Sequence, residues 1–120
     1  MKVLMVDDDI DAQRLLSQTL LRVGIESEGV RSAEEAVKHL DKFKYDAVII
    51  DLMLPGMDGL GLLKNIRRSP HTARLKCVAV TAFHSPNIQK QALDIGFDAY
   101  FAKPVDPLSF GQDLLGLIAG

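Results

Sequence analysis

The sequence predicts an α/β protein in which five strand-then-helix units surround a parallel sheet. Three observations predict it. Short apolar runs rich in Val, Ile and aromatic residues recur along the 120 residues. Amphipathic helical segments separate them, and residues that start or stop helices punctuate the junctions.

Each element has its own signature. "KVLMV" (2–6), "YDAVIID" (45–51), "KCVAVT" (76–81) and "DAYFA" (98–102) read as buried strands, while the more polar "IESEGV" (25–30) reads as an edge strand. In the first helix Ala12, Leu15, Leu16, Thr19, Leu20 and Val23 fall on one face, with Asp9 as N-cap and Gly24 as the stop. "SAEEAVKHL" opens with the capping box Ser32 and Glu35 and turns Ala36, Val37 and Leu40 inward. "DGLGLLKNIRR" is capped by Asp58, with Leu62, Leu63 and Ile66 inward. "SPNIQKQALDIG" starts at Ser85 with Pro86 in the first turn and ends at Gly96. "DPLSFGQDLLGLI" repeats that start device with Asp106 and Pro107.

Right-handed crossovers leave few ways to wind such a chain. A flavodoxin-like, doubly wound (βα)5 sheet of order 2-1-3-4-5 places the polar second strand at an edge. No linker, repeat or low-complexity segment interrupts residues 1–120, so one domain is expected. Hydrophobic content of 48% with 25% charged residues is the profile of a chain that can build a core. A net charge of −2 gives no reason to expect direct nucleic-acid binding. The apolar runs are too short to span a bilayer and no signal-peptide pattern precedes them, so no membrane partner is expected. The single Cys77 excludes an internal disulfide and suits a small core residue in a reducing, cytoplasmic setting.

The polar residues at the strand ends carry the chemistry. In an open parallel sheet, ligands bind beyond the carboxyl ends of the strands, where the strand order reverses. The first strand runs into Asp7, Asp8 and Asp9, the third ends in Asp51, the fourth in Thr81, and the fifth runs into Lys103. Carboxylates gathered at one end ionise together only with a cation among them. An all-oxygen donor set without clustered His or Cys favours Mg²⁺ or a similar hard ion. Mg²⁺ commonly shares its ligands with phosphate, so Asp51 has the position of a nucleophile that forms an acyl phosphate. Lys103 and the Thr81 hydroxyl could then meet the phosphoryl oxygens. The Pro55-Gly56 turn could direct a backbone carbonyl toward the ion.

The pieces "VDDD" (6–9), "DLMLPGMDG" (51–59), "VTA" (80–82) and "DAYFAKP" (98–104) together resemble the receiver domains of two-component response regulators, of the chemotaxis-regulator type. That resemblance implies Asp51 as phosphoacceptor and Mg²⁺, with Mn²⁺ as a substitute, held by Asp8, Asp7, Asp51 and the Met53 backbone carbonyl. It implies phosphoryl contacts from Lys103, Thr81 and the Ala82 amide, a switch pair of Thr81 and Tyr100, and a cis bond between Lys103 and Pro104. Met53 and Phe83 would flank the path of hydrolytic water. Asp9 is left to helix capping. The implied partners are a histidine kinase or histidine phosphotransfer protein, and an output domain or target at the face formed by the fourth helix, fifth strand and fifth helix. Such a domain is not an enzyme beyond its own phosphotransfer and dephosphorylation. The apolar excess of the last helix, Leu108 to Ile118, is a candidate homodimer or partner surface. His39, His71 and His84 read as surface residues, with His84 near enough to Thr81 to be a candidate for tuning that loop, and "RRSPHTAR" (67–74) reads as a solvated connection. The first strand starting directly after Met1 favours a stand-alone or amino-terminal position.

Three other readings fit less well. A degenerate receiver that serves only as a docking module is opposed by the intact Asp8, Asp51, Thr81 and Lys103. A haloacid-dehalogenase-type phosphatase needs an Asp-x-Asp-x-Thr pattern after its first strand, which "DDDID" lacks. A flavodoxin-like binding module needs a Ser/Thr/Gly-rich first loop for phosphate, and three acids there would repel it.

Overall fold

A computed structural model describes residues 1–54 and 58–120, so the Pro55-Gly56 turn lies outside the described residues. The elements follow one another as β1 (Lys2–Val6), α1 (Ile10–Leu21), β2 (Glu26–Val30), α2 (Ala33–Lys42), β3 (Ala47–Asp51), α3 (Gly59–Arg68), β4 (Lys76–Thr81), α4 (Pro86–Ile95), β5 (Ala99–Ala102) and α5 (Phe110–Ala119). All five strands join one parallel sheet in the order β2-β1-β3-β4-β5. The polar strand is indeed at an edge.

Side chains alternate between the two sheet faces, as the pleat requires. Leu4, Val48, Ile50 and Ala79 point to a layer built by α2, α3 and α4, through residues such as Leu40, Leu62, Leu63 and Ala92. Val3, Met5, Ile49 and Val78 point to a layer built by α1 and α5, through Leu16, Leu20, Phe110 and Leu114. Both faces are therefore dry, which is why the central strands read as continuous apolar runs rather than alternating ones.

Side-chain caps start four of the helices. Asp9, Ser32, Asp58 and Ser85 each accept from backbone N–H groups of the first helical turn. Gly24 and Gly96 take positive φ values of 80° and 122° just beyond α1 and α4, where a side chain would be strained.

Two expectations are corrected. The fifth helix does not begin at Asp106-Pro107: those residues form a preceding turn, and the helix starts at Phe110. The Asp106 carboxylate accepts from the Leu108 N–H and its carbonyl accepts from the Phe110 N–H, so it shapes the entry turn rather than capping the helix. Leu15 does not join the inward face of α1 but is exposed, because α5 covers the Leu16–Leu20 side and leaves the flank beside Pro104 open.

Candidate functional site

The strand order brings the carboxyl ends of β1, β3, β4 and β5 together, and with them residues far apart in sequence. Asp7 is 2% exposed and Asp51 is buried beside it. Lys103, just beyond β5, reaches both: its Nζ donates to Asp7 Oδ2 at 2.6 Å and to Asp51 Oδ2 at 3.2 Å. One oxygen each from Asp7, Asp8 and Asp51 fall within 4.8 Å of one another.

The local backbone holds each carboxylate in place. Asp7 Oδ1 accepts from the Asp9 N–H at 2.9 Å, and Asp51 Oδ1 accepts from the Met53 N–H at 2.9 Å. Below the site, Gly59 starts α3 so close to β3 that a Cβ there would lie 2.8 Å from the Asp51 carbonyl oxygen. Only glycine allows that approach.

Burial pushes the Asp7 carboxyl above its ordinary value, with the Lys103 hydrogen bond opposing the shift and the Asp51 charge adding to it. For Lys103, burial disfavours the ammonium, but the Asp7 hydrogen bond and the charges of Asp7 and Asp51 outweigh it. The amine's pKa rises, and Lys103 is the positive charge that lets two buried carboxylates coexist.

Asp8 differs from its neighbours in being exposed, with its backbone carbonyl accepting from the Arg31 guanidinium at 3.3 Å. Asp9 turns away from the cluster and caps α1. The donor set of Asp7, Asp8 and Asp51 is all carboxylate oxygen, compact and open to solvent on the Asp8 side. It fits a hard divalent cation such as Mg²⁺.

The remaining predicted residues surround this cluster. Thr81 is fully buried at the end of β4, and its Oγ1 accepts from the Phe83 N–H at 3.1 Å. Ala82, Phe83 and Met53 are exposed at the rim. The peptide bond from Lys103 to Pro104 is cis. Tyr100 packs half-buried against the α4 side of the core, and its hydroxyl lies 3.0 Å from His84 Nδ1. Burial raises the Tyr100 pKa, partly offset by the Ser85 backbone amide.

Two contributing residues, Gln13 and His84, stand outside the predicted site set. Gln13 Nε2 donates to the Asp7 carbonyl at 2.7 Å and the Val30 carbonyl at 2.9 Å, clamping the ends of β1 and β2 together. Its position, one turn after the acidic run, was the only hint. The His84–Tyr100 contact depends on how the loop after β4 folds back, which spacing does not reveal.

Comparison with known proteins gives the same picture. The family model for the response regulator receiver domain matches residues 3–114. A curated 14.6 kDa protein from the sodA1 3′ region of Leptolyngbya boryana is 35% identical over 113 residues, covering 90% of this chain and 82% of that protein. The chain spans only 16%, 47% and 13% of the length of three further curated relatives. Among solved structures, a candidate response regulator from Chloroflexus aurantiacus J-10-fl superposes with a TM-score of 0.93 at 32% identity, covering 99% of this chain and 98% of that one. The chemotaxis protein CheY4 of Vibrio cholerae superposes with a TM-score of 0.88 at 28% identity, covering 97% of both chains. With its acidic strand ends, a lysine bridging two of them and a family match over nearly all its length, this chain belongs to the response regulator receiver domains of two-component systems.

Proposed function

We propose that this receiver domain takes a phosphoryl group onto Asp51 from the phosphohistidine of a histidine kinase or histidine phosphotransfer protein. The observation that carries the reading is the Lys103 ammonium bridging Asp7 and Asp51, with Asp8 alongside. An Asp51 carboxylate oxygen attacks phosphorus, the P–N bond breaks, and its electron pair leaves on the imidazole nitrogen, which takes up a proton. Asp7, Asp8, Asp51 and the Met53 backbone carbonyl would hold Mg²⁺. Bound there, Mg²⁺ would offset the charge gathering on the transferred oxygens. Lys103 contributes a preplaced positive charge to the same oxygens.

Phosphorylation gives Asp51 a group nearer −2 with more acceptor oxygens. Thr81 gains a partner if its hydroxyl gives up the Phe83 N–H and turns to the phosphoryl group with the Ala82 amide. Tyr100 then leaves His84 and moves inward, reshaping the α4-β5-α5 face for an output partner. Exposed Leu108, with the half-buried Leu115, Leu117 and Ile118 of α5, would serve a partner or a homodimer. Sedimentation with and without a phosphoryl mimic separates the two; a monomer in both states removes the dimer.

The direct test is intact mass after incubation with acetyl phosphate and Mg²⁺. One phosphoryl adduct is expected, lost with chelator and lost in Asp51→Asn. Uptake at the same site by Asp51→Asn overturns the nucleophile assignment. Exposed, apolar Met53 and Phe83 at the rim favour slow self-dephosphorylation, so Phe83→Glu should change the decay rate of the adduct. An unchanged rate removes their role in water access.

A further inference from the structure

The opposite pole of the sheet carries a groove that phosphoryl chemistry does not use. The connection from α2 to β3 and the connection from α3 to β4 wall a cavity of about 550 Å³, with Leu40 and Leu75 among its lining residues. It continues into a second groove of about 500 Å³ through Tyr45, His71 and Leu75, which line both. Phe43 is 52% exposed and lines the first groove, its ring tilted against His39 with centroids 6.2 Å apart. What sets Phe43 apart from other exposed apolar side chains is its place on the wall of a concave lining that also holds Leu40 and Leu75.

The charge around it is equally uneven. Residues 38–46 and 67–76 hold seven Lys or Arg against two Asp, in a chain whose net charge is −2. Arg67 is engaged internally, and Asp41 lies 3.4 Å from His71. Exposed Lys42, Lys44 and Arg74 have no carboxylate within 4.0 Å among the described residues.

We propose that this groove docks an acidic segment of a partner protein. An apolar side chain of that segment seats beside Phe43, and its carboxylates pair with Lys42, Lys44 and Arg74. Charge complementarity favours this occupant: the unpaired cations Lys42, Lys44 and Arg74 rim the two grooves, and the first is lined in part by Leu40, Phe43 and Leu75. Nucleic acid is the competing occupant: Asp41 and Asp46 face either anion alike, but only a peptide brings an aliphatic side chain to the lining of Leu40, Phe43 and Leu75. An anionic membrane is flat, and this surface is concave.

The test is fluorescence anisotropy with a labelled peptide of Asp and Glu residues around a central Leu-Phe pair. A charge-matched peptide of Asp and Glu alone, and single-stranded DNA of equal charge, serve as comparators. The Leu-Phe peptide should bind tightest, and its affinity should fall with added salt. Phe43→Ala should weaken it about tenfold, and the double variant Lys44→Glu/Arg74→Glu at least as much. Asp51 phosphoryl uptake, unchanged in both variants, reports that they fold. No saturable binding at about millimolar peptide, or equal affinity across wild type and variants, overturns the proposal. Tighter DNA binding through the same residues overturns it in favour of a nucleic-acid surface.

Discussion

The two ends of the sheet handle charge in opposite ways. At the carboxyl end, acidic groups are buried and crowded, and Lys103 neutralises them from across the sheet. At the amino end, basic groups lie in water around an apolar groove, while one arginine is drawn inside. Arg67 donates to the carbonyls of Ala73, Leu75 and Gly96 and to the Asp98 carboxylate. Asp98 in turn accepts from the Cys77 N–H at 2.8 Å. The comparison teaches that burial alone does not mark a reactive site. Arg67 sets its one positive charge against one carboxylate and three carbonyls, so its charge is matched where it lies. Lys103 is shared between two carboxylates with a third nearby, which leaves negative charge for a cation to meet.

The contrast can be tested from its strongest consequence downward. Lys103→Ala removes the cation between Asp7 and Asp51, and phosphoryl uptake should fall about hundredfold; timed intact-mass measurements check this, and uptake within twofold of wild type would dissolve the distinction between the poles. Arg67→Ala leaves four acceptors without their donor and should cost about 2–3 kcal/mol in urea unfolding. Its uptake rate per folded molecule should stay unchanged.

Cys77 offers a pH test of the amino half. Burial pushes its thiol up to about 12, with Arg67 opposing and Asp98 adding to the shift. The raised value means that the thiol's contribution is intact below its ordinary value of 9.0 and is lost as pH rises toward about 12. Above that ordinary value, stability should decline by about 1.4 kcal/mol per pH unit beyond the decline seen in Cys77→Ala. Parallel slopes for the two proteins would show that the thiol is not the linked group. The smallest effect is at Phe43: Phe43→Ala should alter stability by less than about 0.5 kcal/mol, because its ring is half in water already. A larger loss in urea unfolding would make Phe43 a packing residue and weaken the docking argument.

Much of this was legible in the chain. Strand-terminal Asp51, Thr81 and Lys103 could be placed at one end because a parallel sheet aligns all carboxyl ends, whatever their separation in sequence. The 96-residue span between Asp7 and Lys103 is therefore no obstacle to inference. What stayed hidden depends on three-dimensional detail. Within "DDD", pattern alone could not say that Asp7 takes the buried place with Lys103 while Asp8 stays exposed, since that follows from the pleat of β1 and its hydrogen bond to the Val30 carbonyl. Sequence places the start of α5 too early because Asp106-Pro107 carries the same local preference whether it opens a helix or a preceding turn. Leu15 looked like core because periodicity marks a face but not how far the neighbouring helix extends over it. The solvated reading of 67–74 does not foresee Arg67, whose length lets it reach carbonyls both later in its own connection and at Gly96 after α4.

The 2.6 Å contact between Lys103 and Asp7 bears on sensitivity. An amine tethered by its own backbone keeps a high effective concentration beside that carboxylate, and dilution cannot lower it. Any divalent cation entering the pocket must therefore compete with an occupant that never diffuses away. Were a cation to fill the pocket, the concentration needed would be set against this tethered amine, and lengthening or shortening that one side chain would move it.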